Sequence, residues 1–394
     1  MHGPASAKGN KWSMTLRGLV VSGEVSGDVS AYSHRLKKLG ECVSERSMEC
    51  DYFYPEDHPP LNVWTTMSFV MPLWLRMLRR YDFIYSGCEE AGQSLFFCKP
   101  FLKGPILYDT HGDLVAQSAL MRELSTGGQK KTTPARVRVV SRMSMAAAAQ
   151  VLTVSSYHVR RLIEEGIPPS RISLIRNGVD LNLFAYQPLH QRPEFTFAYA
   201  GAYQSYQGVE NLIDAFDRIR DPDVRLLLVG FTPPYATLKQ QWAARLGSRV
   251  TLVDQTDRST LVSLLSRAAI LVIPGIDHPG RRNVFPTKFG EYAALGRPVL
   301  VTDVDETADF VRQYKCGFVS GCDAESMAAV METAAHASHD SLVEMGVRAR
   351  HMAEEHFSWE RVGDEYAAVV RMAVERYRSE NPLQRRSWRD IRKP

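Results

Sequence analysis

The sequence predicts an α/β protein built from two parallel-sheet domains. Three observations carry that prediction. Short apolar runs alternate with helical patterns, which is how a parallel sheet covered on both faces reads. The alternation occurs twice, over 16–185 and over 195–357, and the segment between holds Pro188 and Pro193 and reads as a linker. The 394 residues suffice for two or three domains with full cores.

Composition excludes several classes. Apolar content of 44% and charged content of 23% are those of a soluble globular chain. A net charge of +4 is too small to argue for nucleic acid. The six cysteines form no CxxC pair and have no histidine at zinc spacing, so they read as reduced, structural residues of a cytoplasmic protein. Residues 1–15 are polar and are expected to be a disordered leader rather than a signal peptide. The most apolar stretch, 61–78, contains Pro72 and Arg76. A spanning helix needs about 20 apolar residues, so this one is expected to be buried or to lie on a surface.

The elements of the first domain follow in order. Residues 16–22 are a buried strand, 23–28 a turn opening at Gly23, and 29–39 a helix. The glycine spacing of that turn is not GxGxxG. Next come strand 83–86, helix 89–97 and strand 105–109, which runs into Thr110-His111-Gly112-Asp113. The polar stretch 125–133 holds Gly127-Gly128 and Lys130-Lys131 and reads as a mobile loop. Helix 134–149 and strand 151–154 follow, then helix 157–165 capped by Ser155 or Ser156. Strand 172–175 leads to Asn177-Gly178-Val179-Asp180.

The second domain has expected strands at 195–200, 225–229, 250–253, 269–273, 298–302 and 317–319. Its helices are expected at 208–219, 235–246, 259–268, 287–295, 306–313 and 324–335, with two more at 340–356 and 358–378. One stretch organises this half. Gly275, Pro279 and Gly280 mark a loop after strand 269–273, Pro286 opens a short helix, and Gly296 closes it. In an open α/β sheet such loops lie at the carboxyl ends of the strands, where ligands bind. A helix start there offers free N–H groups to an anion, and Glu291 falls about one and a half turns inside, within reach of the mouth. The loop 201–208 follows strand 195–200 and opens a helix in the same way.

Phe285-Pro286-Thr287-Lys288 followed by Glu291-Tyr292-Ala293-Ala294-Leu295-Gly296-Arg297-Pro298 resembles the donor-binding signature of glycosyltransferase family 4. Asn177-Gly178-Val179-Asp180 is similar to the family's Asn-Gly-Val-Asp. The resemblance is strong over 150–360 and loose over 16–150. It implies two Rossmann-like domains facing across a cleft (the GT-B fold), with a C-terminal helix, 358–380, crossing back to the first domain before a basic tail, 381–394. It implies a retaining, metal-independent enzyme with no cofactor, whose substrate is a nucleotide-diphosphate sugar bound by the second domain. The first domain would bind a glycan, lipid-linked or small-molecule acceptor, with 113–133 as a candidate lid, in cell-surface polysaccharide or glycolipid synthesis.

The resemblance also distributes roles. Glu291 would accept two ribose hydroxyls, a task suited to a carboxylate. Lys288 would stand near phosphate or sugar, and His111 would bind or orient the transferred sugar. Gly23, Gly201, Gln207, Gly208, Asn283, Phe285, Pro286 and Thr287 would complete the donor site. The chain departs from the family's pattern at three points. Asn283 stands where the family has the first glutamate of Glu-Gly-Phe-Pro. Ala202 and Gln207 stand where it commonly has Arg and Lys. Arg281 or Arg282 is therefore expected to supply the missing phosphate charge, with a planar fork suited to it. Plainer readings stay open: Glu291 as a solvated helix carboxylate, Lys288 as a surface lysine, His111 as structural, the arginines as solvent-facing.

Two rival functions follow from the same residues. The departures fit a non-catalytic nucleotide-sugar-binding or scaffold protein. A sugar epimerase or a glycogen-type phosphorylase has less support. Finally, Arg122, Lys130, Lys131, Arg136, Arg138 and Arg142 face only Glu123 over 122–142. This basic run is either a solvated face or a contact with anionic lipid, where each cation contributes about 1 kcal/mol. Trp64, Met71, Trp74 and Met77 would add apolar contact there or pack in the core. The expected location is cytoplasmic, at the inner face of the membrane if that contact exists.

Overall fold

The computed structural model describes residues 15–21, 31–53, 81–124, 133–190 and 194–382. Within them are two six-stranded sheets, ordered β2-β1-β3-β4-β5-β6 and β12-β11-β10-β7-β8-β9. The first comprises β1 Leu16–Val21, β2 Met48–Phe53, β3 Phe83–Ser86, β4 Ile106–Thr110, β5 Gln150–Thr153 and β6 Ile172–Leu174. The second comprises β7 Phe195–Ala200, β8 Val224–Phe231, β9 Val250–Asp254, β10 Ile270–Ile273, β11 Val299–Thr302 and β12 Gly317–Ser320. Neighbouring strands run parallel, β1 with β3 and β7 with β10 among them. Such strands are buried on both faces, and β3, β4, β5, β10 and β11 are buried at every position.

The strand order places the ligand end. From β7 the chain winds to β8 and β9 on one side, then returns to lay β10, β11 and β12 on the other. The winding therefore reverses between β7 and β10. In a doubly wound sheet that reversal opens a crevice at the carboxyl ends of the two strands.

The chain divides into two compact units, one of residues 1–109, 140–151 and 363–394, the other of residues 110–139 and 152–362. From Gly363 onward the last helix, Trp359–Glu380, belongs to the unit that begins the chain. Side chains tie it there. Arg378 bonds Asp82 at 2.5 Å, Arg376 bonds Gln150 at 2.7 Å, and Arg46 pairs with Asp364 at 2.7 Å. In the same unit Asp109, near the end of β4, accepts from buried Arg35 at 2.9 Å and from Tyr85 at 2.5 Å.

Three elements differ from expectation. Strand β2 was not foreseen; its alternating polar residues hide an edge strand. The stretch expected as a lid, 113–133, begins with a helix, Leu114–Glu123, because the Asp113 carboxylate caps it by accepting from Ala116 N at 2.9 Å. The loop after β10 contains a helical turn, Pro279–Arg282, with His278 accepting from Gly280 N at 3.0 Å. Gly23, the leader 1–14, the apolar stretch 61–78, the polar stretch 125–132 and the tail from 383 lie outside the described residues. Among the described residues no helix is long and apolar enough to cross a membrane.

Candidate functional site

At the winding reversal two loops meet backbone to backbone. Gly201, directly after β7, has φ +143°, and Gly208, which caps helix Val209–Arg218, has φ +72°. Both conformations favour glycine. A Cβ on Gly208 would stand 3.1 Å from backbone atoms of Pro274 and Gly275, so the two loops touch only because that atom is missing. Gln207 lies in the turn just before Gly208, half-buried, while Ala202 is exposed.

The helix Thr287–Ala294 starts beside them, with Pro286 at φ −65° as its first cap residue. Tyr292 fixes this helix to the end of β7: its hydroxyl accepts from Ala200 N at 2.8 Å and donates to Ala200 O at 3.2 Å. Gly296 has φ +71° and closes the helix by donating to Ala293 O at 2.9 Å. Phe285 is only 2% exposed and packs against Phe289, Phe310 and Phe357, while its carbonyl accepts from Asn177 Nδ2 at 3.2 Å. The matched Asn-Gly-Val-Asp and Phe-Pro segments are thus neighbours in space.

Lys288 points back over the first loop. Its Nζ lies 2.7 Å from where a Gly201 Cβ would be, and it donates to the Tyr199 hydroxyl at 3.1 Å. Burial pushes the ammonium down to about 7; nearby Arg281 adds to the shift and Glu291 opposes it. Glu291, one turn on, is pushed up by burial, against the pull of Arg258 and Lys288. Arg258 Nη2 stands 3.4 Å from Glu291 Oε1. Tyr199, Arg258 and Asp305 escaped the sequence reading. Tyr199 reads as an ordinary strand residue, and the partners of the other two are far apart in sequence.

The two arginines part company. Arg281 is 5% exposed and pairs with Asp305, Nη1 to Oδ2 2.8 Å. Asp305 is itself pushed up by burial, opposed by Arg281 and by bonds from Thr307. Arg282 is exposed and pairs with exposed Asp277 at 2.7 Å.

His111 follows β4 and is half-buried. Its neighbour Gly112 has φ +140°, and a Cβ there would stand 3.1 Å from Asn283 O and 3.3 Å from Val284 Cγ2. The helix Leu114–Glu123 packs on the turn Pro279–Arg282: a Cβ on Gly280 would meet Ala116 O at 2.7 Å, and His278 Nε2 lies 3.3 Å from Glu123 Oε2. The structure therefore brings the His111 loop against the loop carrying Asn283. It gathers Gly201, Gly208, Lys288 and Arg281 at the strand ends, with Glu291 one turn further along the helix. Among the described residues no three His, Cys, Asp or Glu side chains stand close enough to hold a metal.

Two family models match this chain: Glycosyltransferase Family 4 over residues 44–183 and Glycosyl transferases group 1 over residues 194–336. A D-inositol 3-phosphate glycosyltransferase of Gordonia bronchialis is 23% identical over 77% of this chain and 68% of its own length. The same enzyme of Mycobacterium bovis is 23% identical over 76% of this chain and 63% of its own length. Among solved structures, sucrose-phosphate synthase of Thermosynechococcus elongatus superposes with a TM-score of 0.70 at 19% identity, over 91% of this chain and 98% of that one. Anabaena Alr3699/HepE in complex with UDP and glucose gives 0.71 at 16% identity, over 91% and 100%. Fold and matched domains define a glycosyltransferase with two Rossmann-like domains, the GT-B type. The chain belongs to glycosyltransferase family 4.

Proposed function

We propose that this enzyme moves a sugar from a nucleotide-diphosphate donor to a glycan, lipid-linked or small-molecule acceptor, with retention at the anomeric carbon. One observation carries the reading: Lys288 and Glu291 rise from the first turns of one helix, beside Gly201 at the winding reversal. Backbone N–H groups and Lys288 suit a diphosphate, and the Glu291 carboxylate suits the hydroxyls of a ribose. The chemistry is then electrostatic, fixed dipoles and a cation stabilising the leaving diphosphate. The UDP held by the Anabaena structure supports a uridine nucleotide as one donor to try. His111 would meet the transferred sugar. The setting we favour is cytoplasmic synthesis of cell-surface polysaccharide or glycolipid, without cofactor or metal.

The test is nucleotide release from a panel of UDP- and GDP-sugars, with and without a chelator. Turnover that survives the chelator supports the metal-independent reading. Binding without turnover, across a panel of glycan and lipid-linked acceptors, would favour the non-catalytic alternative, whose support is Asn283, Ala202 and Gln207.

A further inference from the structure

We infer that Arg281, held by Asp305, is the fixed cation of the diphosphate subsite, in place of the charges missing at Ala202 and Gln207. The inference rests on the donor reading above. A nucleoside diphosphate carries two or more negative charges, and a helix start answers only about half of one. The chain has two spare arginines in the loop after β10, and their surroundings separate them. Arg282 has a side chain 53% exposed and spends its guanidinium on Asp277, at 2.7 Å and 3.0 Å. Solvent screens such a pair.

Arg281 is enclosed. One side of its guanidinium meets Asp305 at 2.8 Å. On another edge its Nε is buried and has no hydrogen-bond partner among the described residues. Buried donors are nearly always satisfied, so an exception asks for an acceptor that binds later. That edge faces Gly275: a Cβ there would lie 3.5 Å from Nε and 3.8 Å from Nη2. Gly275 is also where the Gly208 loop touches, 3.1 Å from the missing Cβ of Gly208. The unsatisfied edge therefore points toward the seam between the two glycine loops. Lys288 feels the same charge, Arg281 being the largest cause of its shift after burial. An anion in that seam would accept from Arg281 and Lys288 together, and arginine's fork gives it two bonds at once. Asp305 holds the guanidinium in place and offsets part of its charge.

Calorimetry with UDP, GDP, their nucleosides and pyrophosphate tests this. In the unaltered protein each diphosphate is expected to bind more tightly than its nucleoside. Arg281→Gln combined with Asp305→Asn removes the buried pair without stranding a charge; it is expected to cut that advantage by about tenfold or more and leave nucleoside binding alone. Asp305→Asn by itself is expected to keep or increase the advantage, since the arginine is then unanswered. A pair that only props the fold would make Asp305→Asn as harmful as the double variant, and that result overturns the inference. So does an unchanged advantage in the double variant, or its loss in Arg282→Ala. Pyrophosphate binding that needs Arg281, in a protein that binds neither UDP nor GDP, would keep the anion site and remove the donor reading. A protein that binds none of the three removes both.

Discussion

The Lys288 ammonium stands 3.1 Å from the Tyr199 hydroxyl and 4.2 Å from the centre of its ring. Tyr199, next to last in β7, is fully buried, and burial holds its phenol well above the ordinary range, so it serves as a neutral platform. A ring face and one hydroxyl replace much of the water a lysine would otherwise keep. The space above is open only because residue 201 lacks a side chain.

Gly201→Ala is therefore expected to cost stability and to move Lys288. A Cβ at φ +143° is strained by roughly 1–3 kcal/mol, and it would sit 2.7 Å from Nζ. The expected result is a lower denaturant midpoint together with weaker binding of UDP or GDP. Loss of stability with diphosphate affinity intact would separate the loop from the site.

Diphosphate binding should depend on pH through Lys288. Its ammonium is pushed down to about 7, from an ordinary 10.5. An anion binds the charged form, so binding takes up a proton once pH exceeds about 7. Affinity should then fall with rising pH, by up to about tenfold per unit. The sign for folding is opposite. The unfolded chain holds the proton up to about 10.5 and the folded empty site releases it above about 7, so this group adds stability as pH rises through that window. Lys288→Met should flatten both dependences. Diphosphate affinity that is level from pH 6.5 to 8.5 would show that this lysine carries no part of the phosphate site.

Much of this was legible in the sequence, and the reasons can be named. The strands of the second sheet are short apolar runs, so their positions could be read within a residue or two. The helix start at Pro286 and its end at Gly296 follow from local backbone chemistry, which needs no tertiary information. Strand β2 was hidden because an edge strand need not be apolar throughout. The Arg281–Asp305 and Arg258–Glu291 pairs join residues 24 and 33 positions apart, across separate loops, and no local pattern encodes such a meeting. The sequence could offer Arg281 and Arg282 as equals; only burial tells them apart.

Arg258 should act on the donor through Glu291. Burial raises the Glu291 carboxyl, and Arg258 at 3.4 Å is the main opposing influence. Glu291→Ala is expected to weaken nucleotide-sugar binding by about 1.5–3 kcal/mol, the range for hydrogen bonds to a charged group. Arg258→Ala should do less at neutral pH but shift the acid limb. The carboxyl would then protonate at higher pH, and a protonated carboxyl is a poorer acceptor for ribose hydroxyls. Affinity in the variant should fail at a higher pH than in the unaltered enzyme. Identical acid limbs would show that the contact is a surface pairing without consequence.

His111→Ala should lower turnover far more than donor affinity. His111 leaves β4 next to Gly112, whose backbone lies against Asn283 and Val284, so its loop has a fixed position beside the one preceding helix Thr287–Ala294. That loop lies against Asn283, the residue standing where the family has its sugar-binding glutamate. On the donor reading proposed above, a side chain placed there would act on the transferred sugar more than on the nucleotide. Such a group contributes mainly by orienting the reacting carbon, and misplacement by about 1 Å can cost about a hundredfold in rate. The expected pattern is kcat reduced by about that factor with UDP or GDP affinity unchanged, because the contacts proposed for the nucleotide are Lys288, Arg281 and Glu291. Asn283→Ala tests the same assignment from the facing loop. If it lowers kcat to a similar degree, and the double variant loses little more than either single one, the two residues hold one sugar together. If His111→Ala keeps full turnover with an accepted acceptor, the histidine only shapes the loop, and the sugar's contacts must be sought on the Asn283 side alone.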